Sequence, residues 1–313
     1  MIKYYKINEK ENIKEIKDPK DFPTANIIKV IEPQYEDIYR ISKKENVIHE
    51  YLKDSLDRNE IPRLENYKNQ LFILIRVPIQ DDLRPESAIF RTVPVGIIMT
   101  KEKLIIISVE DTNITDVVMN NYGKRFDSIR SFAIFIMLAS IKRYLKYLKN
   151  LNMRILKAED RLRKTQSNEE LINLMEIEKS LVYFTTSIKG NQMLMERLLI
   201  EKKFELKDRE RELIQNMMIE NNQALEMSQI YNNIVNSLTN AFASIISNNL
   251  NIVMKALAAL TIILNFPMLV SSIYGMNVPL PFQEQKYAFI IVVTIGIGLT
   301  ILSTWLLIKR KWF

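Results

Sequence analysis

The chain has 313 residues, 47% of them hydrophobic and 26% charged, a mixture that fits a soluble domain of ordinary size beside membrane spans and excludes a chain buried wholly in lipid. Cysteine is absent and histidine occurs once, as His49, so disulfides, thiol chemistry and cysteine or multi-histidine zinc sites within one chain are excluded, and any metal meets oxygen ligands or water. The formal net charge of +7 is spread along the chain rather than gathered in blocks, apart from Lys309-Arg310-Lys311, which disfavours a nucleic-acid surface.

The N-terminal residues Met1-Ile2-Lys3-Tyr4-Tyr5 form no apolar core of a signal peptide, and Glu9 and Glu11 follow closely, so insertion into a membrane is expected to rely on C-terminal segments. From residue 1 to about 125, short branched apolar runs alternate with amphipathic stretches. Residues 26–31, 71–77, 93–99 and 104–109 predict strands. Helices are predicted over 35–44 and 47–56, the second extending irregularly toward Pro62, and this mixture predicts a compact domain of helices and strands. Pro78, Pro85 and Pro94 mark loops or strand edges. Asp81 and Asp82, after the strand at 71–77, are candidate metal ligands, although an acidic turn is ordinarily a solvated turn.

From about residue 126 proline and glycine nearly vanish until Pro267, with Gly190 the exception. Such a run is helical and must fold back on itself. One helix is predicted from Ser128 to about Thr165, then a polar break and capped restart at Thr165-Gln166-Ser167-Asn168. A second covers about 171–199, and a third starts after a break at 205–208. This third helix has no breaker from Arg209 through Asn265, so it is expected to run without interruption into the first of two uncharged segments. Those segments, 256–274 and 288–308, approach the roughly 20 residues that a bilayer-spanning helix needs. A loop of only 275–287 joins them, so the spans are antiparallel neighbours. The basic cluster directly after the second span places that end in the cytoplasm, and two spans return the chain to its starting side, so both termini are expected there. Trp305, Trp312 and Phe313 fit an interfacial aromatic belt.

Along the third helix, at alternating intervals of four and three, lie Asn233, Ser237, Asn240, Ser244, Ser247, Asn251, Met254, Ala258, Thr261, Asn265, Met268 and Ser272. A 3.5-residue interval marks one face of a helix in a left-handed bundle. A dry seam would be leucine and isoleucine; this one is amide, hydroxyl, alanine and methionine. Small polar residues can also serve tight packing in lipid, which accounts for Thr261, Asn265 and Ser272 but less well for the same seam over 233–251, where water competes. A water-facing seam on one helix requires several copies around it. In the second span, Thr294, Gly296, Gly298 and Thr300 allow close helix approach, as an outer layer.

Tyr274-Gly275-Met276-Asn277, set between two C-terminal spans after a long helical region, resembles the signature of the CorA-type divalent metal ion transporters. The resemblance is sharp over 248–313 and architectural before that. It implies an α+β cytoplasmic domain (1–125), a cytoplasmic helical hairpin and long stalk helix (126–255) and a membrane domain (256–313) with two C-terminal transmembrane helices, assembled as a funnel-shaped homo-oligomer, a pentamer, in the cell membrane. The implied function is channel-type uptake of Mg2+, with Co2+ and Ni2+ as lookalikes, selected at a ring of Gly275, Met276 and Asn277. No cofactor is implied beyond Mg2+ as transported and regulatory ion. Counting back from the motif, Asn251, Met254, Leu257 and Met268 match the family's pore-lining positions, with Met254 and Leu257 in its hydrophobic constriction; the seam adds Ala258, Thr261, Asn265 and Ser272. The family closes when cytoplasmic magnesium bridges acidic residues of neighbouring protomers. Here the corresponding stretch reads Asn216-Met217-Met218, so Glu212 and Glu220 join Asp81 and Asp82 as candidate regulatory ligands. The loop after the triplet, acidic in the family, offers only Glu284.

Two other readings compete. A zinc transporter of the same superfamily often changes the middle residue of the triplet, which is Met276 here, and a membrane-anchored scaffold leaves the polar seam without a purpose. An enzyme is the least supported, because no nucleophile, base and orienting group assemble by motif and His49 lies in an amphipathic helix.

Overall fold

The structure, a computed structural model, describes residues 1–7, 13–80, 88–122, 128–165, 168–282, 285–310 and 312. Asp81, Asp82, Pro85 and Glu284 lie outside the described residues. The chain divides into two compact units, Met1–Thr239 and Asn240–Phe313.

The first unit is built on a seven-stranded sheet of β1 (Ile2–Ile7), β2 (Ile13–Ile16), β3 (Ile27–Ile31), β4 (Arg63–Tyr67), β5 (Gln70–Gln80), β6 (Phe90–Met99) and β7 (Leu104–Ser108), in the spatial order β2-β1-β3-β7-β6-β5-β4. Among the described strands only β3 and β7 pair in parallel. The central strands read as continuous apolar runs because both faces of the sheet are covered. Along β5, Leu71, Ile73, Ile75 and Val77 point into one core, while Phe72 and Leu74 point into the other. β7 divides in the same way, Leu104 and Ile106 against Ile105 and Ile107.

The smaller core lies under α1 (Tyr35–Lys44) and α2 (His49–Asp54), which contribute Ile38, Ile41, Tyr51 and Leu52. α2 is shorter than the sequence predicts. Past it the Asp57 carboxylate accepts from the Asn59 amide at 2.9 Å, and such a local turn competes with further helical hydrogen bonding. The larger core lies under α3 (Ile114–Tyr122) and the long helices α4 (Ile129–Thr165) and α5 (Asn168–Ile200), through residues such as Phe132, Ile136, Leu194 and Leu198. Pro78 and Pro94 sit inside β5 and β6, yet each lies past the end of a neighbour's pairing. β4 stops at Leu74 of β5, and β7 begins at Val95 of β6, so no ladder donor is missing on those sides.

α5 ends in a short 3-10 turn, Lys202–Phe204, pinned by the buried Phe204 ring. The Glu210 carboxylate then accepts from the Lys207 amide at 3.0 Å and caps the start of α6. α6 runs unbroken from Asp208 to Tyr274, 67 residues, as its lack of breakers predicts. It carries Pro267 inside it, which removes one backbone donor. In the first unit α6 is tied to α5 by side chains: Asn221 donates to the Ile188 carbonyl at 3.1 Å and Ser228 to the Leu181 carbonyl at 3.2 Å.

The second unit comprises the C-terminal part of α6 and α7 (Ala288–Lys309). Both helices are long and apolar enough to cross a membrane, and only 11% of the most apolar window of either is buried within the protein. A core helix of a soluble protein would be mostly buried; these two surfaces need lipid or further copies to cover them.

Candidate functional site

Within the second unit a narrow line of α6 is covered. Ala259 and Val270 are buried, as are Gly296 and Ser303 of α7. A Cβ on Gly296 would stand 3.9 Å from the Pro267 Cα, so the backbones come close there, as small residues allow. Gly298 meets nothing within 4 Å, leaving the second small-residue register open. The hydroxyls of Thr294, Thr300 and Thr304 donate at 2.8 Å to carbonyls one turn back, so α7 exposes few unsatisfied donors to its surroundings.

Every seam residue from Asn233 to Ser272 is exposed in the single chain. Exposure alone does not single the seam out, since Leu250 at 61% and Val253 at 62% are as open as Met254 at 55% and Met268 at 63%. Leu257 is open as well. What distinguishes the seam is its chemistry. The Ser244 hydroxyl donates to the Asn240 carbonyl at 3.0 Å and the Thr261 hydroxyl to the Leu257 carbonyl at 2.9 Å. With their protons committed to the helix, both oxygens face outward as acceptors.

The seam also begins earlier than its sequence suggests. Gln215, Ile219, Asn222, Glu226 and Gln229 continue the same interval toward the N-terminus of α6, and all are exposed. Ile219 and Glu226 interrupt the neutral polar character there, which is why composition did not reveal it.

The triplet follows directly. The helix closes with Gly275 donating to the Ser271 carbonyl at 3.0 Å and Met276 to the Ile273 carbonyl at 3.2 Å. A Cβ on Gly275 would lie 3.3 Å from the Ser271 oxygen, tighter than a side chain normally sits, so this last turn favours glycine by close approach. Gly275, Met276 and Asn277 are all exposed. The Tyr274 hydroxyl reaches across the loop to donate to the Pro281 carbonyl at 3.2 Å. At the other end of α7, Lys309 lies over the Trp305 ring, 5.0 Å from its centre.

Of the acidic candidates, Glu212 is exposed, whereas Glu220 accepts from Lys142 of α4 at 2.6 Å. Eight residues of helical rise, about 12 Å, separate the two, so one chain does not bring them to a single ion. Among the described residues no group of three or more His, Cys, Asp or Glu gathers to hold a metal.

A family model described as CorA-like Mg2+ transporter protein matches residues 24–310. The chain belongs to the CorA-like Mg2+ transporter family. Compared with the cobalt/magnesium transport protein CorA of Methanocaldococcus jannaschii, it is 25% identical over 291 residues, spanning 90% of this chain and 89% of that protein. The complete structure of the CorA magnesium transporter from the same organism superposes with a TM-score of 0.86 at 22% identity, over 100% of this chain and 99% of that one. The ZntB cytoplasmic domain from Vibrio parahaemolyticus gives a TM-score of 0.62 at 12% identity, over 79% of this chain and 98% of that domain, and shares the fold alone. As a member of the CorA family this is an integral membrane protein, with α7 and the end of α6 as its apolar helices.

Proposed function

We propose that the chain forms a homopentameric channel through which Mg2+ enters the cell, with Co2+ and Ni2+ as lookalikes, and that the α6 seam lines its path. The observation that carries this reading is the exposed, neutral, acceptor-rich seam that continues through an uncharged span to Gly275-Met276-Asn277. Magnesium releases its water reluctantly. The waters of a hydrated cation turn their oxygens inward and their hydrogens outward, so the wall beside them must accept hydrogen bonds. Ser244 and Thr261 are oriented for that, and the amides of Asn251, Asn265 and Asn277 supply further oxygens. No Asp or Glu occurs from Asn233 to Asn277, which keeps binding weak enough for release. Met254 and Leu257 form the narrow apolar stretch. A single helix cannot enclose water, so the reading requires several copies, and the pentamer comes from the family resemblance.

Uptake is driven electrically. At about 2.3 kcal/mol per charge per 100 mV, a divalent cation gains about 4.6 kcal/mol on entering a cell polarised by that amount. The basic C-terminal cluster, beside the Lys309–Trp305 contact, supports an orientation with both termini on the cytoplasmic side. Closure is assigned to Mg2+ on acidic side chains at protomer contacts, with Asp81, Asp82, Glu212 and Glu220 as candidates.

The test is Mg2+ influx into liposomes that hold a magnesium-sensitive dye. Protein-bearing vesicles should fill at a rate that rises with an inside-negative potential. Filling no faster than in protein-free vesicles would contradict the proposal.

A further inference from the structure

A cavity of about 770 Å³ opens in the first unit between the ends of β5 and β6, the loop after β7, α3 and α4. None of its lining residues belongs to the seam. Its charges pair off unevenly. Arg91 is held by Glu110 through two hydrogen bonds of 2.5 and 2.6 Å, and Lys142 by Glu220 at 2.6 Å. Asp111 lies 3.6 Å from Lys29 and accepts from the Asn113 amide at 2.9 Å.

Arg143 and Lys146 remain. Arg143 is half-buried, and burial pushes its guanidinium pKa down against the opposing influence of Tyr147 and Asp111. Among the described residues its one hydrogen bond runs from Nη1 to the Thr112 carbonyl at 2.6 Å, which leaves most of its donors without a partner among them. Lys146 is exposed at the rim, one turn further along α4, and makes no ion pair among the described residues. Asn113 and Asn121 add side-chain amides that make no hydrogen bond among the described residues. A partly buried guanidinium with donors to spare calls for an anion.

We propose that this cavity binds a small organic phosphate, its phosphoryl oxygens on Arg143 and Lys146. Charge decides between anions. A phosphate monoester carries about −1.5 to −2 at pH 7 and neutralises both cations, whereas one carboxylate neutralises half. The guanidinium fork matches phosphate geometry, and the lysine adds a point charge. Val117, Ala139 and the Tyr122 and Tyr147 rings supply apolar wall for the organic part, and the volume falls in the usual range for such sites, roughly 300–1,000 Å³. The proposal does not depend on the transport reading.

Calorimetric titration of the full chain in detergent tests it, with AMP, inorganic phosphate and adenosine as probes. AMP should bind saturably and more tightly than inorganic phosphate, and adenosine should not bind. Arg143→Gln and Lys146→Gln should each weaken AMP at least about tenfold, while Arg154→Gln elsewhere on α4 leaves it unchanged. Because Lys146 is exposed, its variant retains the fold and keeps the test decisive. Failure of both AMP and inorganic phosphate to bind, AMP no tighter than phosphate, or AMP affinity unchanged in both variants would overturn the proposal.

Discussion

Lys142 Nζ lies 2.6 Å from Glu220 Oε1, joining α4 to α6, while the other carboxylate oxygen of Glu220 is buried without a donor among the described residues. A carboxylate already engaged by a lysine is a poor ligand for a weakly bound cation until that lysine leaves. If Glu220 contributes to closure by Mg2+, Lys142 competes with the ion for it. Lys142→Gln should therefore move Mg2+-dependent protection from protease to lower Mg2+, by up to roughly fivefold, given that an exposed pair contributes up to about 1 kcal/mol. Glu220→Gln should move it upward. Joint replacement of Asp81, Asp82, Glu212 and Glu220 with no change in Mg2+ response would place sensing elsewhere.

The packing of α2 on the sheet rests on the absence of one methyl group. A Cβ on Gly96 of β6 would fall 1.8 Å from the Ser55 hydroxyl oxygen and 2.6 Å from its Cβ. Gly96→Ala should cost about 1–3 kcal/mol through overpacking, read as a lowered thermal midpoint of the full chain. Adding Ser55→Gly, which removes the two closest opposing atoms and leaves Ile107 Cγ2 at 3.1 Å, should restore much of the loss. A Gly96→Ala protein as stable as the parent would show that α2 shifts freely.

Asn277 lies in the loop after the last turn of α6, exposed and outside the packed line of Ala259 and Val270. Asn277→Ala should leave assembly intact while lowering Mg2+ influx more than about a hundredfold, equivalent to about 2.7 kcal/mol of barrier. Dye-loaded liposomes together with size analysis of the purified complex separate the two effects. Normal influx through a well-assembled variant would remove Asn277 from the selecting ring.

The parts of the fold that sequence made visible are those in which one physical demand acts alone. β3, β5, β6 and β7 are buried on both faces and carry unbroken apolar runs, and α6 shows itself by length without a breaker. The hairpin of β1 and β2 was hidden because its edge position tolerates Lys3, Lys6, Lys14 and Glu15 among the apolar residues. β4, at the opposite edge, begins with Arg63 and contains Glu65, and an edge strand with one solvated side carries little signal. α3 escaped notice because it starts within six residues of the end of β7. In the site, the seam was legible where amides and hydroxyls keep a strict interval, and illegible over 215–229, where Ile219 and Glu226 share it. The cavity around Arg143 could not be read at all, because it draws on strands, a loop and two helices far apart in sequence.

The central claim is that one face of α6 looks onto water shared between copies, and single cysteines in this cysteine-free chain test it most directly. Ser237→Cys, Ser244→Cys, Asn251→Cys, Ala258→Cys and Thr261→Cys should react with small water-soluble thiol reagents or crosslink between protomers. Phe242→Cys, Ile246→Cys and Val253→Cys should react far less. The two sides of the membrane are probed separately, because the proposed path is narrowed at Met254 and Leu257. The account predicts labelling with a 3.5-residue period that persists from the cytoplasmic part of the helix into the span. Labelling without that period, or strongest at Phe242, Ile246 and Val253, would make the seam a packing surface and place the ion path elsewhere.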